Sequence, residues 1–94
     1  MGRGSREKPE RLGEKLVQIR NALDLSQAEM VRRLVPRSKL TRNDISKYER
    51  DLREPSLLLL LRYARVAGIS VDELLDDELD LPKELGPTRS RKRR

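Results

Sequence analysis

The sequence predicts an all-α fold of five short helices. Three observations predict it. Apolar residues recur at intervals of three and four along most of the chain. A Ser or Thr followed three residues later by an acid stands at the head of three of these runs, at Ser26–Glu29, Thr41–Asp44 and Ser70–Glu73. Pro and Gly fall between runs rather than inside them, where they end one helix and admit the next. In the Ser/Thr–acid pairs the hydroxyl accepts an N–H of the first turn and the acid accepts the N–H of the Ser or Thr, which satisfies two donors that a helix start leaves orphaned. One such pair arises readily by chance; the periodic run behind each gives it weight.

The first helix is expected from Pro9 and Glu10, which suit a first turn, through Leu12, Leu16, Ile19 and Leu23, ending near Leu23 or Asp24. Leu25 then suits a staple before the Ser26 cap. The second helix runs from Gln27 to about Val35 with Ala28, Val31 and Leu34 as its apolar face, and Pro36 stops it, because the residue before a proline is pushed out of the helical region. Arg37 and Lys39, in the connection up to Leu40, are read as solvated in preference to touching a phosphate backbone. The third helix spans Arg42 to Glu49 or Arg50, turning Ile45 and Tyr48 inward and Arg42, Asn43, Ser46 and Lys47 outward. Asp51 falls where helices commonly end in a left-handed residue.

Pro55 and Ser56 open the fourth helix, whose apolar set is Leu57, Leu60, Leu61, Ala64 and Ala67, with Arg62 and Arg65 outside. Leu58 and Leu59 lie off that stripe, so either the helix is buried nearly all round or a leucine belongs to a subunit interface. Gly68 stops it, and Ser70 opens a fifth helix through Leu74 and Leu75. Leu79 and Leu81, isolated among acids, suit the cover of a domain edge or a dimer contact.

At 94 residues the chain holds one domain, expected over residues 9–81, between a flexible basic arm at 1–8 and a disordered basic tail at 82–94. The core is small and has no cysteine to staple it, so dimerisation is an expected source of stability. No apolar run approaches a membrane span, no hydrophobic stretch follows Met1, and a soluble cytoplasmic protein is expected. The net charge of +6 points to a polyanionic partner, and its distribution says more than its sum. Residues 26–65 carry ten Lys/Arg against five Asp/Glu, whereas residues 72–80 carry six acids and no base. The acidic end is therefore a poor surface for phosphates. The run Thr88 to Arg94 suits non-specific phosphate contacts, ahead of docking on the acidic segment or serving as a localisation patch. An enzyme is disfavoured: there is no His or Cys, and the acids show no apolar pocket to raise a carboxylate's pKa. Their spacing does not match a calcium loop, so no metal or cofactor is expected. A chain this short leaves no room for a second, ligand-sensing domain, so no small-molecule ligand is expected either.

The outward face of the third helix has the donors that read duplex DNA. Arg and Lys suit guanine O6 and N7, Asn suits adenine N6 and N7, and Ser serves a base or a phosphate. Asp44, an acid on that side, is read as the cap of Thr41.

The segments LSQAEMVRRL and ISKYERDLREPSLLLLLRYARVAGISVDELL resemble the Cro and lambda-repressor-like, or xenobiotic-response-element type, helix-turn-helix family. The resemblance covers about Leu12 to Leu81. It rests on Ser-Gln opening the second helix, Ile-Ser-x-x-Glu in the third, Arg-x-Pro-Ser before the fourth and Val-Asp-Glu-Leu-Leu in the fifth. It implies a compact five-helix bundle, usually dimeric, with the third helix in the major groove. By position, Gln27 would approach phosphate or the outermost base, Arg42, Asn43 and Lys47 would read bases with support from Ser46, and Arg50 and Arg53 would meet backbone phosphates. Arg20 and Glu49 match a pair that clamps the first helix to the third. Two departures stand out: a longer connection between the second and third helices, and Asp51 in place of the family's usual glycine.

The function expected from these readings is a DNA-binding regulator, a repressor on a near-palindromic operator, acting as a homodimer. The antitoxin of a toxin–antitoxin pair and the controller of a restriction system are variants of it. The alternative is a coactivator-type module that uses the same fold to bridge two proteins, with Arg42, Asn43 and Lys47 merely solvated.

Overall fold

A computed structural model of the chain describes residues 8–35 and 39–86. Among these residues are five α-helices and no strand: α1 Leu12–Ala22, α2 Gln27–Leu34, α3 Arg42–Glu49, α4 Leu57–Ala67 and α5 Val71–Leu75. The expected arm up to residue 7, Arg37 and the basic run beyond Gly86 lie outside the described residues. Every helix contributes to one core, Leu16 and Ile19 from α1, Met30 and Leu34 from α2, Ile45 and Tyr48 from α3, Tyr63 and Ala67 from α4 and Leu74 from α5. α3 packs on both α1 and α2, while α4 bridges α2 to α5.

Local chemistry sets both ends of most helices. All three capping boxes form, with Glu29, Asp44 and Glu73 N–H donating to the hydroxyls of Ser26, Thr41 and Ser70 and the acids accepting in return. Ser56 caps α4 by accepting Leu59 N–H at 3.1 Å. Three helices close in the same way, through a left-handed residue followed by an N–H that reaches five residues back. Leu25 N–H donates to Arg20 O after Asp24, Leu52 N–H to Lys47 O after Asp51, and Ile69 N–H to Ala64 O after Gly68. Asp24 and Asp51 hold φ of 60° and 61°, a conformation in which Asp is tolerated better than most residues but less well than Gly.

The structure corrects several expected faces. Pro9 and Glu10 are not the first turn of α1, which begins at Leu12. Leu23 is the cap residue that follows α1 and packs on the core from there. In α2 the buried pair is Met30 and Leu34, four residues apart, and Ala28 is exposed, because α2 must face α3 and α4 together. In α4, Leu57 is 83% and Leu58 68% exposed, whereas Leu59, Leu60, Tyr63, Ala64 and Ala67 are buried. The first two residues of α4 lie outside the packed core, so the stripe is displaced from the expected set. The packed chain also continues past residue 81. Leu85 lies on the core, and Gly86 is buried with its N–H donated to Ala67 O at 2.7 Å. A Cβ on Gly68 would sit 2.6 Å from Gly86 O, so Gly68 both ends α4 and admits this strand of chain.

The acidic segment has a structural task that its composition does not announce. Asp77 accepts the N–H groups of Glu10 and Arg11 at 2.9 and 3.0 Å, capping the start of α1 from more than sixty residues away. Lys15, wholly buried, donates to the carbonyls of Glu73 and Asp76 at 2.9 and 2.7 Å, satisfying the C-terminal end of α5. Burial lowers the Lys15 pKa, whereas the two backbone N–H groups hold the Asp77 carboxyl below its ordinary 3.8.

A depressed folded-state pKa stabilises the fold above the unfolded-state value and is lost as pH falls through the folded one. Asp77→Asn is therefore expected to lower the melting temperature at pH 7 and to make the decline in melting temperature below about pH 4 shallower. Thermal unfolding followed by circular dichroism across pH 2–7 checks both; an unchanged acid limb would contradict the capping role. In the same assay Met30→Ala should cost about 2–5 kcal/mol, the range for emptying a buried side chain's volume.

Candidate nucleic-acid interface

At about 100° per residue, an α-helix beginning at Arg42 places Arg42, Ser46, Arg50, Asn43 and Lys47 in one arc, Asp44 and Tyr48 at one edge of it and Glu49 at the other. Burial agrees: Ile45 and Tyr48 are in the core, and Arg42, Asn43, Lys47 and Arg50 are exposed. The Thr41 cap sets where the helix starts and so sets the arc. Asp44 makes that cap, accepting Thr41 N–H at 3.0 Å, and the bond holds its carboxyl below the usual carboxylate range.

The helix is held from behind through Glu49, whose side chain is only 5% exposed. Arg20 of α1 grips it with two N–H groups, Nε to Oε2 at 2.7 Å and Nη2 to Oε1 at 3.2 Å, and gives a third bond to Leu25 O at 3.0 Å. Gln27, the first residue of α2, donates to the same Oε1 at 3.1 Å. One carboxylate thus joins α1, α2 and α3, and its hydrogen bonds to Arg20 raise the guanidinium's pKa. Gly13 lets the helices close up, since a Cβ there would lie 2.8 Å from Glu49 O.

The sequence-predicted residues divide into two groups. Gln27 is tied to Glu49, Arg50 Nε donates to Ser46 Oγ at 3.1 Å, and Arg53 Nη2 donates to Asp44 Oδ1 at 2.8 Å while its guanidinium lies 5.6 Å from the Tyr48 ring centroid. Arg42, Asn43 and Lys47 make no side-chain hydrogen bond or ion pair among the described residues. All seven gather on or beside α3: Gln27 at one edge, Arg53 at the other, the rest within the arc. Residue-type reasoning passed over Tyr48 and Asp44 as partners of Arg53. An aromatic residue four positions after a capping acid, with an arginine just past the helix, is the pattern that would have pointed to them. Lys8 and Lys39 are further exposed cations, and Lys8 shares an open groove with Tyr48, Asp51 and Arg53.

Among the described residues no set of three acids, histidines or cysteines is placed to hold a metal, and no helix is long and apolar enough to cross a membrane. The surface offers cationic and amide donors on a convex helix. Such a face fits a groove lined with acceptors and phosphates.

Comparison with known proteins agrees with this geometry. No curated protein and no solved structure matches the chain significantly. A protein-family model described as helix-turn-helix matches residues 16–74, from within α1 to within α5, and so includes α2, α3 and the Glu49 clamp. The chain therefore belongs to the lambda-repressor-like helix-turn-helix family of DNA-binding regulators.

Proposed function

We propose that this regulator is a sequence-specific repressor that binds a near-palindromic operator as a homodimer, with α3 of each protomer in the major groove. The observation that carries the reading is the trio Arg42, Asn43 and Lys47, unpartnered among the described residues, on the exposed arc of a helix clamped from behind. Side chains whose donors are not used inside the protein are available to base edges. Ser46 supports them, while Gln27, Arg50 and Arg53, drawn back toward the protein, suit backbone phosphates that set register without reading sequence. Two copies on one duplex place half-sites about one helical turn, roughly 34 Å, apart. The exposed Leu57, Leu58 and Leu79 supply apolar surface of the kind that association covers.

The test is selection from a random duplex library at near-physiological salt, with the triple Arg42, Asn43 and Lys47→Ala variant in parallel. An inverted repeat that depends on those side chains supports the reading. Salt-sensitive recovery without a consensus, the same for both proteins, refutes it and favours a protein-bridging role. On the selected operator, Lys47→Ala or Arg42→Ala should each cost about 1–3 kcal/mol and relax preference at one base position per half-site. Arg53→Ala should instead weaken specific and random DNA alike and reduce the salt slope by about one ion. Fluorescence anisotropy titrations at several salt concentrations separate the two behaviours.

A further inference from the structure

Arg53 lies in the loop after α3, yet its guanidinium returns along the helix to the first turn. Nη2 meets Asp44 Oδ1 at 2.8 Å, and the group passes beside the Tyr48 ring on the way. Asp44 and Tyr48 are four residues apart and share the edge of the exposed arc nearest Lys47. The other oxygen of Asp44 accepts Thr41 N–H, so one carboxylate ties the head of α3 to the loop beyond its end.

Stability does not account for this pair. The Arg53 side chain is 50% and that of Asp44 21% exposed, and ion pairs of that kind contribute little to folding. Nor does general electrostatics favour an acid there, since a carboxylate at the edge of a phosphate-binding face repels the ligand. The cap alone could be made by a neutral side chain, because Asn also offers an oxygen to Thr41 N–H. What an acid adds at this position is the hold on Arg53.

We infer that Asp44 is a positioning residue for DNA binding, holding the Arg53 guanidinium against Tyr48 at the edge of the reading face, where its other N–H groups meet a backbone phosphate. The inference rests on the DNA-binding reading given above. A guanidinium has five N–H donors in a planar fork, so one bond to Asp44 leaves donors for a phosphate. A long side chain already held in place loses less freedom when the ligand arrives.

The test turns on a sign. Removing a negative charge from a surface that meets a polyanion should by itself strengthen binding. Positioning predicts the reverse. Asp44→Asn keeps an oxygen for the cap but no charge for Arg53, and is expected to weaken binding to the selected operator about five- to tenfold, a change typical of coupled neighbours. Arg53→Ala should cause a similar loss, and the double variant should be no weaker than Arg53→Ala alone. Asp44→Glu, which keeps the charge and is the common acid of capping boxes, should bind within about twofold of wild type. Matching circular dichroism melts for the four variants keep a folding defect from mimicking the effect. Asp44→Asn binding as tightly as wild type or tighter, or losses that multiply in the double variant, overturns the inference while leaving the DNA-binding reading intact. A wild-type protein that selects no duplex overturns both.

Discussion

The position of α3 depends on the Glu49 carboxylate. It is nearly buried, and a buried charge without partners is costly by several kcal/mol. Arg20 of α1 supplies two bonds to it and Gln27 of α2 a third. Such a pair adds little net stability over apolar residues of the same size, but it discriminates sharply against any packing that separates its members. A helix displaced along its axis or rotated by one residue would strand the charge. Leucines facing one another would accept such a shift at small cost. The ionic clamp therefore constrains what apolar packing leaves loose, the rotation and axial position of α3.

Charge is separated along this chain because its two signs serve different ends. Two acids of residues 72–80 bond to the start of α1: Asp77 accepts two backbone N–H groups, and Asp80 pairs with Arg11 at 2.9 Å. The wholly buried ammonium of Lys15 completes the junction from the other side. These bonds close the last helix onto the first, and they keep carboxylates engaged at a junction formed by α1 and α5. The cations of α3 and its loop, Arg42, Lys47, Arg50 and Arg53, are left exposed, and their matching acids include the nearly buried Glu49 and the capping Asp44.

How much of this could be read in the sequence follows from the range of each interaction. Capping boxes act over three residues, and all three were legible. The stop at Gly68 and the left-handed Asp51 were legible for the same reason, since both are local backbone requirements. The face of α4 was not: five consecutive leucines satisfy any helical stripe, and only the placement of Tyr63 and Ala67 against the other helices selects Leu59 and Leu60 over Leu57. Met30 displaced Ala28 because a large flexible side chain fills the space between α3 and α4 better than a methyl group. Asp77 as a cap for α1 was beyond reach, since nothing local links residue 77 to residues 10 and 11. At the interface the exposed donors could be named once Thr41 set the helix start. Their division into tethered and free could not, because the tethers of Gln27 and Arg53 span 22 and 9 residues.

That division has a consequence for how sequence could be read. A donor already bonded inside the protein loses little when it meets a mismatched base, because its internal partner remains. An unpartnered donor pressed into a groove opposite the wrong base edge gives up water and gains nothing, and the penalty for an unmade buried bond exceeds the gain from a made one. On the proposed reading, discrimination would concentrate in the side chains left unsatisfied among the described residues, Arg42, Asn43 and Lys47. On the same reading the tethered ones would meet phosphates, which every sequence presents alike. On this chain the two sets alternate along one short helix and its flanks. If α3 enters a groove as proposed, the contacts at its edges would set the depth at which the free side chains meet the base edges.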